Sequence, residues 1–115
     1  MPLPLTLTLD VIEALENFID KRRPPENIRH QLDLSYKTED QSVFIYEVRP
    51  AWDNPAIIRE HPFAKATFIK AKDHWKIFWM RSDLKWHAYP PKPTVKTILE
   101  FIEQVDKDEH ACFWG

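Results

Sequence analysis

Hydrophobic positions recur along this chain first with a helical period, then with a strand period, then with a helical period again. In DVIEALENFIDKRR (10–23), Val11, Ile12, Leu15, Phe18 and Ile19 fall on one stripe, which predicts an amphipathic helix. Asp10 with Glu13 three residues on has the form of a capping box, and Pro24 and Pro25 end the segment. From QLDLSYK (31–37) the period changes to two, with Leu32, Leu34 and Tyr36 alternating against Asp33, Ser35 and Lys37. SVFIYEVR (42–49), ATFIKA (66–71), HWKIFWMR (74–81) and KWHAY (85–89) are rich in aromatic and β-branched residues and continue the strand reading. The links TEDQ, AKDH and SD are short and polar, which favours antiparallel hairpins. The stretch from Pro50 to Pro62 holds three prolines and reads as a longer, shaped loop. Finally TVKTILEFIEQVDKD (94–108) sets Val95, Ile98, Leu99, Ile102 and Val105 on one stripe, with Thr94 as N-cap after Pro93.

This order predicts an α+β fold: an antiparallel meander of four to five strands, flanked by an N-terminal and a C-terminal helix in two layers. At 115 residues the chain (1–115) is expected to form a single domain. Two helices most easily cover one face of the sheet and leave the other open. The apolar sets Phe44, Tyr46 and Val48, then Ala64, Ala66 and Phe68, then Phe78 and Met80, read as the covered side. The mixed sets then gather Glu47, Arg49, Lys65, Trp79, Arg81, Lys85, His87 and Tyr89 on the open side. That split depends on register, because one bulge inverts a strand. Trp75 and Leu99 are expected in the core.

Composition narrows the function. Hydrophobic residues are 43%, charged residues 30%, and the net charge is −2, without the basic excess of a protein that coats nucleic acid non-specifically. The one glycine is Gly115, which excludes a P-loop, a dinucleotide-binding GxGxxG turn and a GxSxG nucleophile elbow. One cysteine, Cys112, allows no internal disulfide, and MPLPLTLTLD lacks the basic start of a secretory signal. No apolar run has the ~20 residues that span a bilayer. A cytoplasmic location, no membrane and no cofactor are the expectations.

RPPENIRHQLDLSY (23–36), QSVFIYEVRPAWDNP (41–55), PFAKATF (62–68), WKIFWMRSDLKWHAYPPKP (75–93) and DEHACFWG (108–115) run over nearly the whole chain. With these motifs the chain resembles a small bacterial family known only as a domain of unknown function, number three thousand and twenty-four. The resemblance implies a free-standing bacterial protein of about this length, and no activity or residue role.

Candidate chemistry therefore rests on residue types. His110-x-Cys112 is too sparse for structural zinc, which needs four ligands. Asp33 on one strand and Glu47 in EVR (47–49) on the next offer two carboxylates for Mg²⁺ and a cation for phosphate, a divalent-metal nuclease or phosphodiesterase reading. That reading needs Asp33 and Glu47 on one face and in one register. The corner RSDLKWHAYPPKP (81–93) concentrates Arg81, Lys85 and His87, with Asp83 placed to cap the turn and the start of the second helix beside Lys92 and Lys96 as an anion site. Cations interleaved with rings on an exposed sheet are how single-stranded nucleic acid is held. The leading expectation is a binding module rather than an enzyme, taking an anionic ligand or partner. A solvated face with cross-strand ion pairs, or a homodimer interface rich in Trp, Tyr and Arg, are the competing readings.

Overall fold

The computed structural model describes residues 3–108 and 113. Its elements run α1 (Leu5–Arg22), β1 (Asp33–Glu39), β2 (Ser42–Pro50), β3 (Ile58–Ile69), a 3₁₀ turn (Lys70–Lys72), β4 (His74–Met80), β5 (Trp86–Ala88), β6 (Thr94–Val95) and α2 (Ile98–Lys107). The strands form one antiparallel sheet in the order β1-β2-β3-β4-β5, with β6 sharing the outer edge of β4. This is the expected α+β meander between two helices.

Both helices begin differently from their sequence pattern. α1 starts at Leu5 behind Pro4, five residues before Asp10, and no side chain caps it. Its first turn is held by apolar contact, because Leu3 is buried and Leu7 packs on the core. The Thr8 hydroxyl donates back to the Pro4 carbonyl at 2.9 Å, so threonine is accommodated within the helix. Ile12 stays 37% exposed while Ala14 takes its place in the stripe. α2 starts three residues later than Thr94 suggests. Thr94 and Val95 pair with β4, and Thr97 is the N-cap, its hydroxyl accepting from the Glu100 N–H at 3.2 Å. Glu100 in turn accepts from the N–H of Lys96, one residue before the cap, at 2.9 Å. The later start rotates the stripe, so Phe101 is fully buried and Leu99 is 65% exposed.

Left-handed backbone positions are a problem for a chain whose single glycine is its last residue. Among the described residues aspartate fills three of them: Asp40 between β1 and β2, Asp73 before β4, and Asp108 after α2, with φ of 52°, 51° and 42°. The fourth is Leu84, at φ 60° in the β4–β5 turn.

Pairing sets which face meets the helices. The two-residue turn Asp40-Gln41 pairs Glu39 with Ser42, which brings Tyr36 opposite Ile45 and Leu34 opposite Glu47. On the next strands Val43 faces Ala66, Ile45 faces Ala64, Ala66 faces Ile77 and Phe68 faces Trp75. These residues join Val11, Leu15 and Phe18 of α1 and Phe101, Ile102 and Val105 of α2 in one core. The covered side of β2 is thus Val43 and Ile45, and that of β4 is Trp75, Ile77 and Trp79. The expected assignment of Phe44, Val48, Phe78 and Met80 to the core is inverted, while that of Ala64, Ala66 and Phe68 holds; Tyr46 is buried, but on the side of the sheet away from the helices. In β3 a bulge at Phe63 lets Ile45 pair with Ala64 and Tyr46 with Pro62. Pro62 sits beyond the last β4 pair, Ala64 with Trp79, where its missing N–H costs no ladder bond. The expected loop from Pro50 to Pro62 is therefore mostly hairpin, and only 51–57 turns.

The layers are tied at their ends. Arg23, just past α1, holds Asp33 at the start of β1 through Nε at 3.1 Å and Nη2 at 2.6 Å, and the Leu34 N–H donates to Asp33 at 2.8 Å. The hydrogen bond from Arg23, with the Leu34 N–H adding to it, holds the Asp33 carboxyl below the usual carboxylate range against an opposing desolvation. Arg22 and Lys21 reach Asp106 of α2 at 3.1 and 3.6 Å. Tyr36 donates to Glu16 of α1 at 2.8 Å; burial first, then this carboxylate, pushes its phenol up to about 12.

Two predictions follow from this packing. Phe101→Ala, like Trp75→Ala, costs about 3–5 kcal/mol, whereas Leu99→Ala stays within about 0.5 kcal/mol, as read by urea unfolding. Because the folded pKa of Asp33 is depressed, its contribution is present above the ordinary aspartate value near 4 and is lost as pH falls through the folded value. Wild type should therefore lose stability more steeply below about pH 4 than Asp33→Asn, measured by urea midpoints across pH.

Candidate functional site

Since α1 and α2 share one side, no helix or strand among the described residues covers the other. The strand pairings lay out its side chains in rows. The central row is Lys37, Phe44, Lys65, Phe78 and Ala88, one from each of five strands, each paired with the next. Beside it lie Ser35 paired with Tyr46, and Met80 paired with Trp86. On the other side lie Glu39, Ser42, Thr67, Lys76 and Thr94, where Ser42 and Thr67 share a hydroxyl hydrogen bond of 2.7 Å. These two inner rows, Ser35 to Trp86 and Lys37 to Ala88, contain no carboxylate.

The centre of this face is Lys65. Its ammonium lies 5.2 Å from the ring centroid of Phe78, 5.6 Å from Phe44 and 5.9 Å from Trp86. Phe44 and Trp86 approach each other to 6.0 Å at an interplanar angle of 51°. Lys37 sits 5.6 Å over Tyr46 in the same manner. Ammonium groups placed over ring faces are attracted by the ring quadrupole, and the lysine stems shield the rings. Phe44, Lys65, Phe78, Met80 and Trp86 are each half-buried, so ring surface remains open to a partner.

Of the residues expected on the open face, Lys65 alone is there. Glu47, Trp79 and His87 pair with Leu34, Ala64 and Trp79 and so lie on the helix side, as does Arg49 by alternation. Arg49 is ion-paired with Glu47. Tyr89 is a core residue, stacked 4.9 Å from Phe113. Arg81 and Lys85 are exposed in the β4–β5 turn, and Arg81 lies 5.5 Å over the Trp79 ring. The Trp79 indole N–H is buried without an acceptor.

The RSDLKW corner is a stapled turn. Asp83 accepts from the Lys85 N–H at 3.0 Å and bonds His87 Nε2 at 2.8 Å, while the Arg81 N–H donates to the Lys85 carbonyl at 3.3 Å. The His87 contact, then the Lys85 N–H, holds the Asp83 carboxyl below its ordinary range. The start of α2 is already served by Thr97 and Glu100, so an anion there would meet a carboxylate.

Asp33 and Glu47 do not form a metal pair. Asp33 is opposite Val48 and Glu47 opposite Leu34, one residue out of step, and each is engaged by its own arginine. Among the described residues no three His, Cys, Asp or Glu side chains gather where they would hold a metal. His110 and Cys112 lie outside the described residues. No helix among them is long and apolar enough to cross a membrane.

Lys37, Phe44, Tyr46, Lys76, Phe78 and Trp86 escaped the sequence reading. The signal was present in β1, whose clean alternation passes through a two-residue turn to β2.

A family model described as a domain of unknown function (DUF3024) matches residues 4–115. No curated protein and no solved structure matches the chain.

Leu84 is the strained point of the corner, a branched apolar residue in the left-handed region. Leu84→Gly is expected to raise stability by about 0.5–1 kcal/mol, read as a shift in the urea midpoint with unchanged slope.

Proposed function

The chain belongs to DUF3024, a family without an assigned activity, and we propose that it is a binding module rather than an enzyme, holding single-stranded nucleic acid on the open face of its sheet. The observation that carries this reading is the alternation of Lys37, Phe44, Lys65 and Phe78 across four adjacent strands, with Trp86 beside them. Strands lie about 4.8 Å apart, so cations and rings alternate at that step across the sheet. Bases stack on rings whatever their identity, and lysines meet the phosphates between them. The overall charge of −2 does not oppose this, because the inner rows carry lysine and no acid. The anion-binding expectation thus keeps its chemistry and moves to other residues. A cytoplasmic setting is part of the same proposal.

Binding of a fluorescent single-stranded oligonucleotide, followed by anisotropy at several salt concentrations, tests it. Lys37, Lys65 and Lys76, at about 0.7 counterions each, predict a slope near −2 in log affinity against log salt, reduced by about 0.7 in Lys65→Ala. Trp86→Ala should weaken binding by about 1–3 kcal/mol, while Lys21→Ala on the helical layer leaves it unchanged. No binding at low salt, with sedimentation showing a dimer that Trp86→Ala dissociates, would replace this reading with a homodimer interface.

A further inference from the structure

On the helical layer, α1, the β3–β4 corner and the start of α2 line a half-open cavity of about 470 Å³. That volume is within the range of small-molecule sites. Its floor is apolar: Phe68 and Trp75, with ring centroids 5.2 Å apart, flanked by Ala14 and Ile98. Its rim is acidic. Asp10 and Glu13 rise from α1, with Asn17 one turn further, and Asp73 faces them from the corner. None of these three carboxylates takes part in the ion pairs of the described residues. Lys96 is the single ammonium in the lining, and Glu100 bonds its backbone N–H.

We propose that this cavity binds a small amphiphilic cation, an aryl- or alkylamine whose apolar body rests on Phe68 and Ala14 while its ammonium lies among Asp10, Glu13 and Asp73. The occupant follows from charge complementarity. An apolar hollow alone would accept any hydrophobic body, but three carboxylates against one ammonium favour a cation and repel an anion. The site lies on the opposite side of the sheet from the lysine-and-ring face, so it stands independently of nucleic-acid binding. It also assigns a role to Asp10 and Glu13, which the sequence pattern suggests as a helix cap and the structure places inside the helix.

Tryptamine, 3-ethylindole and indole-3-acetate present one ring system with a positive, neutral and negative arm. Titration of each into the full chain, followed by amide chemical shifts, should perturb Ala14, Asn17, Thr97 and Ile98. Tryptamine is expected to bind roughly tenfold more tightly than 3-ethylindole, and indole-3-acetate more weakly than both. Added salt should erode the tryptamine advantage and leave 3-ethylindole unaffected. The triple variant Asp10→Asn, Glu13→Gln, Asp73→Asn alters exposed positions, so it should keep its melting temperature and bind tryptamine no better than 3-ethylindole. Equal affinity for all three probes, preference for the anion, shifts elsewhere in the protein, or no shifts at all would each overturn the proposal.

Discussion

Everything in this structure depends on the two-residue turn that joins β1 to β2. By pairing Glu39 with Ser42 it carries the alternation of Leu34 and Tyr36 across to Val43 and Ile45. Side chains in a strand alternate strictly, so a slip of one residue would send Val43 and Ile45 to solvent and Phe44 and Tyr46 under the helices. The turn demands a left-handed residue, and Asp40 supplies it in a chain that has no glycine to spend there. The later strands add to the same parity, through Ala64, Ala66 and Phe68 on β3 and Trp75 and Ile77 on β4. Small alanines in the middle strand let α1 and α2 lie close, and the large rings of Trp75 and Phe101 fill the space on either side.

The same parity that builds the core determines what is left outside. Rings that the helices do not cover would be an aggregation hazard on a bare sheet. Here lysine stems lie over them, and the cation–ring attraction keeps charge at the surface without a carboxylate partner. Three arginines are arranged otherwise: Arg23, Arg22 and Arg49 are paired with carboxylates at the ends of the elements.

Much of the architecture was legible from the residues. The helical stripes, the meander and the short polar turns are strong periodic signals, and both helices do share one side of the sheet. The helix starts were less legible because tertiary contacts overrode local caps: Leu3 and Leu7 pull α1 back to Leu5, and pairing with β4 holds Thr94 and Val95 out of α2. The faces of β2 and β4 were misjudged for a different reason. SVFIYEVR and HWKIFWMR are apolar on both sides, so neither strand reveals its own orientation, and purity of the apolar set proved a poor guide. Register carried from a strand that does alternate was the better one. The corner 81–93 looked like a recognition site because turn chemistry and binding chemistry use the same residues. Asp83 is committed within the turn, to His87 and to the Lys85 backbone N–H, while the Lys85 side chain stays exposed.

The claim beneath this account is that Lys65 stands among Phe44, Phe78 and Trp86 on a side of the sheet the helices never reach. Nuclear Overhauser contacts of the Lys65 side chain test it most directly. The account predicts contacts from its terminal methylenes to all three rings, with those methylenes shifted upfield by the ring currents, and contacts from Ile77 to Phe101. Contacts of Phe44 or Phe78 to Phe101 or Ile98 would show the opposite parity, and the proposed face would not exist.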